Sequence, residues 1–118
     1  MAIVNSLIST TDTTLITVPA GKKYAMTTIL VCNNATDDGT TANDTTFDMH
    51  VIKSGQSRNN TNIVLNDIPV TASDTFTFNV ERIILEQDDR IVFVGANPTN
   101  LSVTTVSYTH LRAHETIL

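Results

Sequence analysis

The sequence has few of the residues from which proteins build redox, metal or nucleic-acid sites. It contains one cysteine, Cys32, in 118 residues, so it has no disulfide framework and no cysteine-based metal cluster. Because Cys32 follows the apolar residues 29–31, we predict a buried, unreactive thiol. Lys and Arg number 7 against 12 Asp and Glu, for a net charge of −5. Nucleic-acid binding requires many cationic contacts to phosphates, so we expect no nucleic-acid partner.

Long apolar segments and aromatic residues are also scarce. No apolar run approaches the roughly 20 residues of a membrane-spanning helix, and Met1–Ser6 lacks the positive region of a secretory signal. We therefore expect no membrane partner and folding in a cytoplasm. The chain has no Trp and 2 Tyr, which leaves little to hold a sugar ring beside a carboxylate pair. No nucleophile elbow, P-loop or dinucleotide fingerprint is present, so we predict no enzymatic activity and no cofactor.

What the chain does contain is Thr, Val and Ile in short alternating segments. These β-branched residues pack well on a pleated surface and lose rotamer freedom in a helix. Turn residues separate the segments every eight to twelve positions, a spacing typical of a β-sandwich or small barrel. We predict an all-β antiparallel domain of seven or eight strands. Seven segments supply the strands: 14–18, 23–33, 45–53, 62–66, 75–80, 90–94 and 101–106, with 68–70 and 82–85 as shorter segments beside them. The alternation in 45–53 and 75–80 places these residues on the core side: Phe47, Met49, Val51, Phe76, Phe78 and Val80.

Four residues are the only candidates for contacts with a ligand or partner. Asp37, Asp38 and Arg58 lie in the two long polar loops, 34–43 and 54–61, and such loops often carry binding function on a rigid sandwich. His50 occupies the polar side of the alternation in 45–53, so we predict a solvated surface histidine there. A calcium site at the carboxylate groups of the loops and turns is an alternative. Turn chemistry explains those carboxylates more simply, and we predict no metal.

The last residues break the Thr/Val alternation that precedes them. The string from Val106 to Thr116 resembles the conceptual translation of a sequencing adapter. We therefore predict a β-sandwich domain over 1–106 and a non-native tail over 107–118. His110, His114 and Glu115 have the spacing of helical metal ligands. Because they lie in this tail, we assign them no metal.

The remaining sequence resembles small virion structural proteins of tailed bacteriophages, especially marine ones. The resemblance rests on Thr17–Lys22 (Thr-Val-Pro-Ala-Gly-Lys), on the apolar strand that ends in Asn33-Asn34, on the turn Leu85–Ile91, and on the closing Thr/Val strand up to Tyr108. It implies a β-sandwich that is jelly-roll-like. It also implies a component of the virion tail, neck or capsid decoration, assembled in the host bacterial cytoplasm.

The same resemblance implies partners. Such proteins form symmetric homo-oligomers, often trimers, and pack on other virion proteins. A small sandwich leaves sheet edges open, and neighbouring copies can cover them. Two competing hypotheses are a receptor- or glycan-binding module of a phage fibre, which would use the polar loops, and an enzyme.

Overall fold

The computed structural model describes residues 2–79 and 83–111, which form nine strands in two antiparallel sheets and contain no helix. No helix in this part of the chain is therefore long and apolar enough to cross a membrane. The strands are β1 (Ala2–Leu7), β2 (Thr13–Thr17), β3 (Lys22–Asn33), β4 (Thr45–Ile52), β5 (Ile63–Val70), β6 (Thr75–Asn79), β7 (Ile84–Leu85), β8 (Arg90–Gly95) and β9 (Leu101–Leu111).

The strand pairing is that of a jelly roll. One sheet has the order β1-β9-β3-β6, with β7 also on β3, and the other has the order β2-β8-β4-β5. β6 lies against Thr28–Cys32 and β7 against Tyr24–Ala25. They are successive parts of one interrupted strand. First strand then pairs with last, second with second-last, and so on inward, which is a long hairpin rolled into a sandwich. The predicted sandwich with jelly-roll winding is confirmed.

Side chains from both sheets meet in one apolar core between the layers. Phe47 stands at its centre, with ring centroids 5.7 Å from Phe76 in an edge-to-face arrangement and 6.1 Å from Phe93. Such pairs add about 0.5–1.5 kcal/mol beyond the area that they bury. The alternation predicted for 45–53 and 75–80 placed Phe47 and Phe76 correctly on the core side. The other buried core residues are Ile8, Ile16, Val18, Met26, Ile29, Val31, Met49, Val70, Leu85, Ile91, Leu101 and Val103.

Several boundaries differ from the sequence-based expectation. β1 was not predicted at all. The two segments predicted at 62–66 and 68–70 are one strand, β5, bent where Asp67 has a φ of 50°. β9 continues beyond Val106 and pairs with the start of β3, Leu111 lying opposite Lys22. Cys32 is half-buried rather than buried.

Some sequence-based predictions fall outside the described residues. Val80, expected to face the core, and the first residue of the predicted strand 82–85 are among them. So are His114 and Glu115 of the metal-like pattern. The adapter origin of 107–118 stays a prediction, while the described strand β9 includes the first residues of that segment.

Candidate functional site

The loop between β3 and β4 carries the two candidate aspartates, and both are engaged by its backbone. Oδ1 of Asp37 accepts the Gly39 N–H at 2.9 Å. Oδ1 of Asp38 accepts the Thr40 hydroxyl at 2.7 Å and the Thr40 N–H at 3.0 Å. These bonds stabilise the charged form and lower the pKa of Asp38 below its ordinary value. Both side chains are exposed, but their contacts are those of turn residues.

The loop between β4 and β5 folds back over the outer face of the second sheet. Arg58 forms an ion pair with Asp12 at 2.5 Å, and both side chains are partly exposed. Arg90 of β8 donates to the Gln56 carbonyl at 2.7 Å. Asp89 accepts the Ser54 N–H at 3.0 Å. The loop is thus tied to the sheet along its length, and Arg58 takes part in that attachment.

His50 is buried, so the prediction of a solvated surface histidine is wrong. Its side chain is 3% exposed, and its Nδ1 lies 2.7 Å from Oδ1 of Asn62. That oxygen also accepts the Asn59 N–H, while Nδ2 of Asn62 donates to the Ser57 carbonyl. The amide orientation makes Oδ1 the acceptor, so His50 donates from Nδ1.

The cause of the burial is the loop and not a change of face. His50 pairs with Val92 across β4 and β8, and both point away from the main core. Val92 is 1% exposed, and Ile52, two residues after His50 on the same face of β4, is 0% exposed. The returning loop covers these side chains and makes a second small core. We call this group (His50, Ile52, Val92 and Asn62) the outer cluster.

The structure does not bring the four candidates together. Asp37 and Asp38 precede β4, whereas His50 and Arg58 lie at or beyond its far end. β4 has 8 residues, about 25 Å at roughly 3.4 Å per residue. No group of three or more His, Cys, Asp and Glu in the described part of the chain could hold a metal ion. The candidates therefore do not form a shared pocket.

One buried polar residue escaped the sequence analysis. Asn33, 0% exposed, donates from Nδ2 to the carbonyls of Asn43 at 2.8 Å and Val70 at 3.0 Å. Its Oδ1 accepts the Ala35 N–H at 3.0 Å. Nδ2 of Asn100 reaches the same Asn43 carbonyl at 3.1 Å. Asn33 thus fastens the first loop to two neighbouring elements. No local sequence pattern signalled this burial, because an asparagine that ends a strand looks the same whether it is exposed or buried.

Two shallow depressions on the described surface lie beside β4 and beside β1. One, of about 60 Å³, lies over Thr46, Asp48 and Asp67, where Oδ1 of Asp48 accepts the Asp67 N–H at 2.7 Å. The larger, of about 320 Å³, lies along the outer face of β1 and β9 and is lined by Asn5, Ser6, Leu7, Ser102 and Thr104. Hydroxyl, amide and aliphatic groups line the larger one, and no charged side chain does. It offers a surface for packing.

β1, beside this depression, is an edge strand with exposed apolar side chains. Ile3 is 67% and Leu7 is 66% exposed, and both point to the outer face of the sheet. No residue of β1 is charged, and none is Pro or Gly. Open edges with these properties are sites of strand addition. Open edges were expected of a small sandwich in general, but no sequence pattern located this one.

No protein-family model, curated protein or solved structure gave a significant match to this chain.

Proposed function

We propose that this protein is a non-enzymatic structural component of a bacteriophage virion. It would belong to the tail, the neck or the capsid decoration, and would act by self-association and by packing on other virion proteins. The observation that carries the proposal is the jelly-roll pairing of the two sheets. Viral capsid proteins use this architecture, as do lectins and cupins. Because one fold hosts many functions, the fold supports the proposal by analogy.

The surface adds support that does not depend on analogy. The charged candidates of the two long loops are bonded within the chain, as Asp38 is to Thr40 and Arg58 is to Asp12. The most exposed of the large apolar side chains, Ile3 and Leu7, lie instead on the open edge strand β1. A protein that acts by packing on its neighbours needs exposed, uncharged apolar surface such as that of β1.

The direct test is mass spectrometry of purified particles of the phage whose genome encodes this chain. We expect the protein in the particles at a defined copy number, and genes for capsid, portal or tail proteins beside its own. Absence from the particles would refute the proposal. A glycan-array signal that disappears when Asp37 or Asp38 is replaced by alanine would instead favour a receptor-binding module of a fibre.

A further inference from the structure

Three of the four sheet edges in the described chain carry a feature that discourages further pairing. β5 contains Pro69, which has no N–H, and Asp67 at positive φ. β2 has a bulge between Thr14 and Ile16. At the third of these edges, β6 turns the polar residues Thr75, Thr77 and Asn79 outward. β7 continues that edge and exposes Ile84, but it has only 2 residues. Proline, bulges and very short edge strands are among the means by which proteins protect edges, and a polar outer face leaves a partner strand little apolar area to bury.

β1 has none of these features. Its pairing with β9 runs without a register shift from Ala2–Ser107 to Leu7–Ser102, so the strand is regular. The outward side chains are Ile3, Asn5 and Leu7, and the first and last of these are two-thirds exposed. A regular strand with apolar outward positions is a template for another strand.

The backbone of β1 has its free hydrogen-bonding groups at the same three residues. The Ile8 N–H bonds to the Leu101 carbonyl of β9 at 3.0 Å. Because successive residues of a strand direct these groups to opposite sides, the even-numbered positions serve β9. The N–H and C=O groups of Ile3, Asn5 and Leu7 therefore point to the open edge. The Leu7 carbonyl also accepts the Ser6 hydroxyl at 3.0 Å and has a second lone pair for a further bond.

We propose that two copies of this chain pair through β1, antiparallel, about a two-fold axis at Asn5. This inference rests on the proposed function, for which it names a partner and a contact. In this register Ile3 lies opposite Leu7 of the other copy, and Asn5 lies opposite its own equivalent. Each of the three outward residues donates one backbone hydrogen bond and accepts one. The pairing is self-complementary, as an isologous contact requires, and it places apolar side chains opposite apolar ones.

Charge favours a second copy as the occupant of this edge. The chain has a net charge of −5, so two copies repel each other wherever their carboxylates approach. β1 and the stretch 101–109 of β9 contain no charged residue. Here two acidic chains come together without placing like charges opposite one another.

The size of the contact predicts weak association. A strand of 6 residues spans roughly 20 Å, and pairing two such edges buries on the order of 500 Å² in total, well below the roughly 1,200–2,000 Å² of a stable interface. We therefore expect the dimer to form only at high protein concentration. It should become stable where many copies are held together, as in a particle.

The test uses the symmetry of position 5. We expect sedimentation velocity of the wild-type chain to show a monomer at micromolar and a dimer at near-millimolar concentration. Asn5→Asp and Asn5→Lys each place like charges opposite each other at the axis, so each alone should weaken dimerisation at least tenfold. An equimolar mixture should restore it, because a carboxylate then faces an ammonium group. The matched control is Asn79→Asp, an exposed strand position on the opposite edge of the same sheet, and it should dimerise like the wild type.

The outcomes separate this inference from the proposed function. A wild type that is monomeric at every concentration overturns β1 pairing, as does association that Asn5→Asp leaves unchanged. Failure of the mixture to recover overturns the axis at Asn5. If association persists unchanged in Asn5→Asp, the copies assemble through another surface, and the proposed virion role is not affected. Absence from particles refutes the virion role whatever β1 does.

Discussion

Replacing Asn33 by aspartate changes one NH₂ group to oxygen, with almost no change in shape, at a buried site where the side chain takes part in three hydrogen bonds. In the native chain this NH₂ group donates to two carbonyl oxygens, of Asn43 and Val70. After Asn33→Asp, a carboxylate would face those oxygens at a position that is 0% exposed. An unpaired charge in such a place is strongly unfavourable, so the introduced carboxyl group should take up a proton on folding.

The size of the effect follows from this protonation. Holding a carboxyl of ordinary pKa about 3.9 neutral at pH 7 costs at most about 4 kcal/mol, at 1.36 kcal/mol per pH unit. The protonated acid donates one hydrogen bond where Asn33 donates two, which costs about 1 kcal/mol more. We expect the free energy of unfolding to fall by about 3–5 kcal/mol at pH 7. This is a large share of the 5–15 kcal/mol that is typical of a domain.

The assay is urea denaturation between pH 7 and pH 4, with Asn34→Asp as the control. Asn34 is the adjacent residue and is exposed, so that variant has the same net charge without the buried contact. The introduced carboxyl at position 33 has a raised pKa in the folded state, so the folded state binds more protons than the unfolded state above about pH 4. The deficit should therefore shrink by about 1.4 kcal/mol per unit as the pH falls. Equal stability of the two variants at pH 7, or a deficit independent of pH, would refute the reasoning.

Three further predictions follow from contacts described above. Asn62→Ala removes the partner of His50 and should cost about 2–3 kcal/mol in thermal or urea denaturation, whereas Asn60→Ala, in the same exposed loop, should change stability by less than about 0.5 kcal/mol. Phe47→Ala should cost about 3–5 kcal/mol in the same assay, because it leaves a cavity at the centre of the core. Thr40→Ala should raise the pKa of Asp38 towards its ordinary value in a carboxyl NMR titration, since Thr40 supplies the bonds that lower it. A lowered pKa in the folded state stabilises the fold above the unfolded-state pKa, and this contribution is lost as the pH falls through the folded-state pKa. The variant lacks part of this contribution and should therefore lose less stability on acidification.

Local patterns of the sequence predicted the strands well where one face of a strand meets the core. In β4 and β6 the alternation placed Phe47 and Phe76 on the core side, because a period of two is a direct consequence of strand geometry. Turn residues such as Pro19-Ala20-Gly21 marked the ends of strands. The pairing of β2 with β8 had no such signal, since partners so far apart in the chain are chosen by the packing of the whole domain. The jelly-roll winding was predicted from the resemblance to virion structural proteins and not from the alternation of residues.

His50 shows that the alternation determines the face of a strand residue but not its exposure to solvent. The period of two assigned it correctly to the face of β4 opposite the main core. Whether that face meets water depends on the loop after the strand, and the polar composition of 54–61 suggested a loop extended into solvent. Its polar side chains are instead hydrogen-bond partners of the loop itself and of the sheet, as Asn62 is for His50. Asn33 was missed for a related reason, because an asparagine that ends a strand looks the same whether it is exposed or buried.

The choice between an assembly protein and a receptor-binding module reduces to a comparison of two surfaces. A binding module would use the loops at the ends of β4, where the side chains of Asp38 and Asn62 are already bonded within the chain. A ligand there would have to replace those bonds, and such an exchange yields little net free energy. The edge of β1 has unpaired backbone groups and exposed Ile3 and Leu7, so a partner there adds bonds and buries apolar area without breaking contacts. On this comparison, substitutions in β1 should impair the function more than substitutions in the loops.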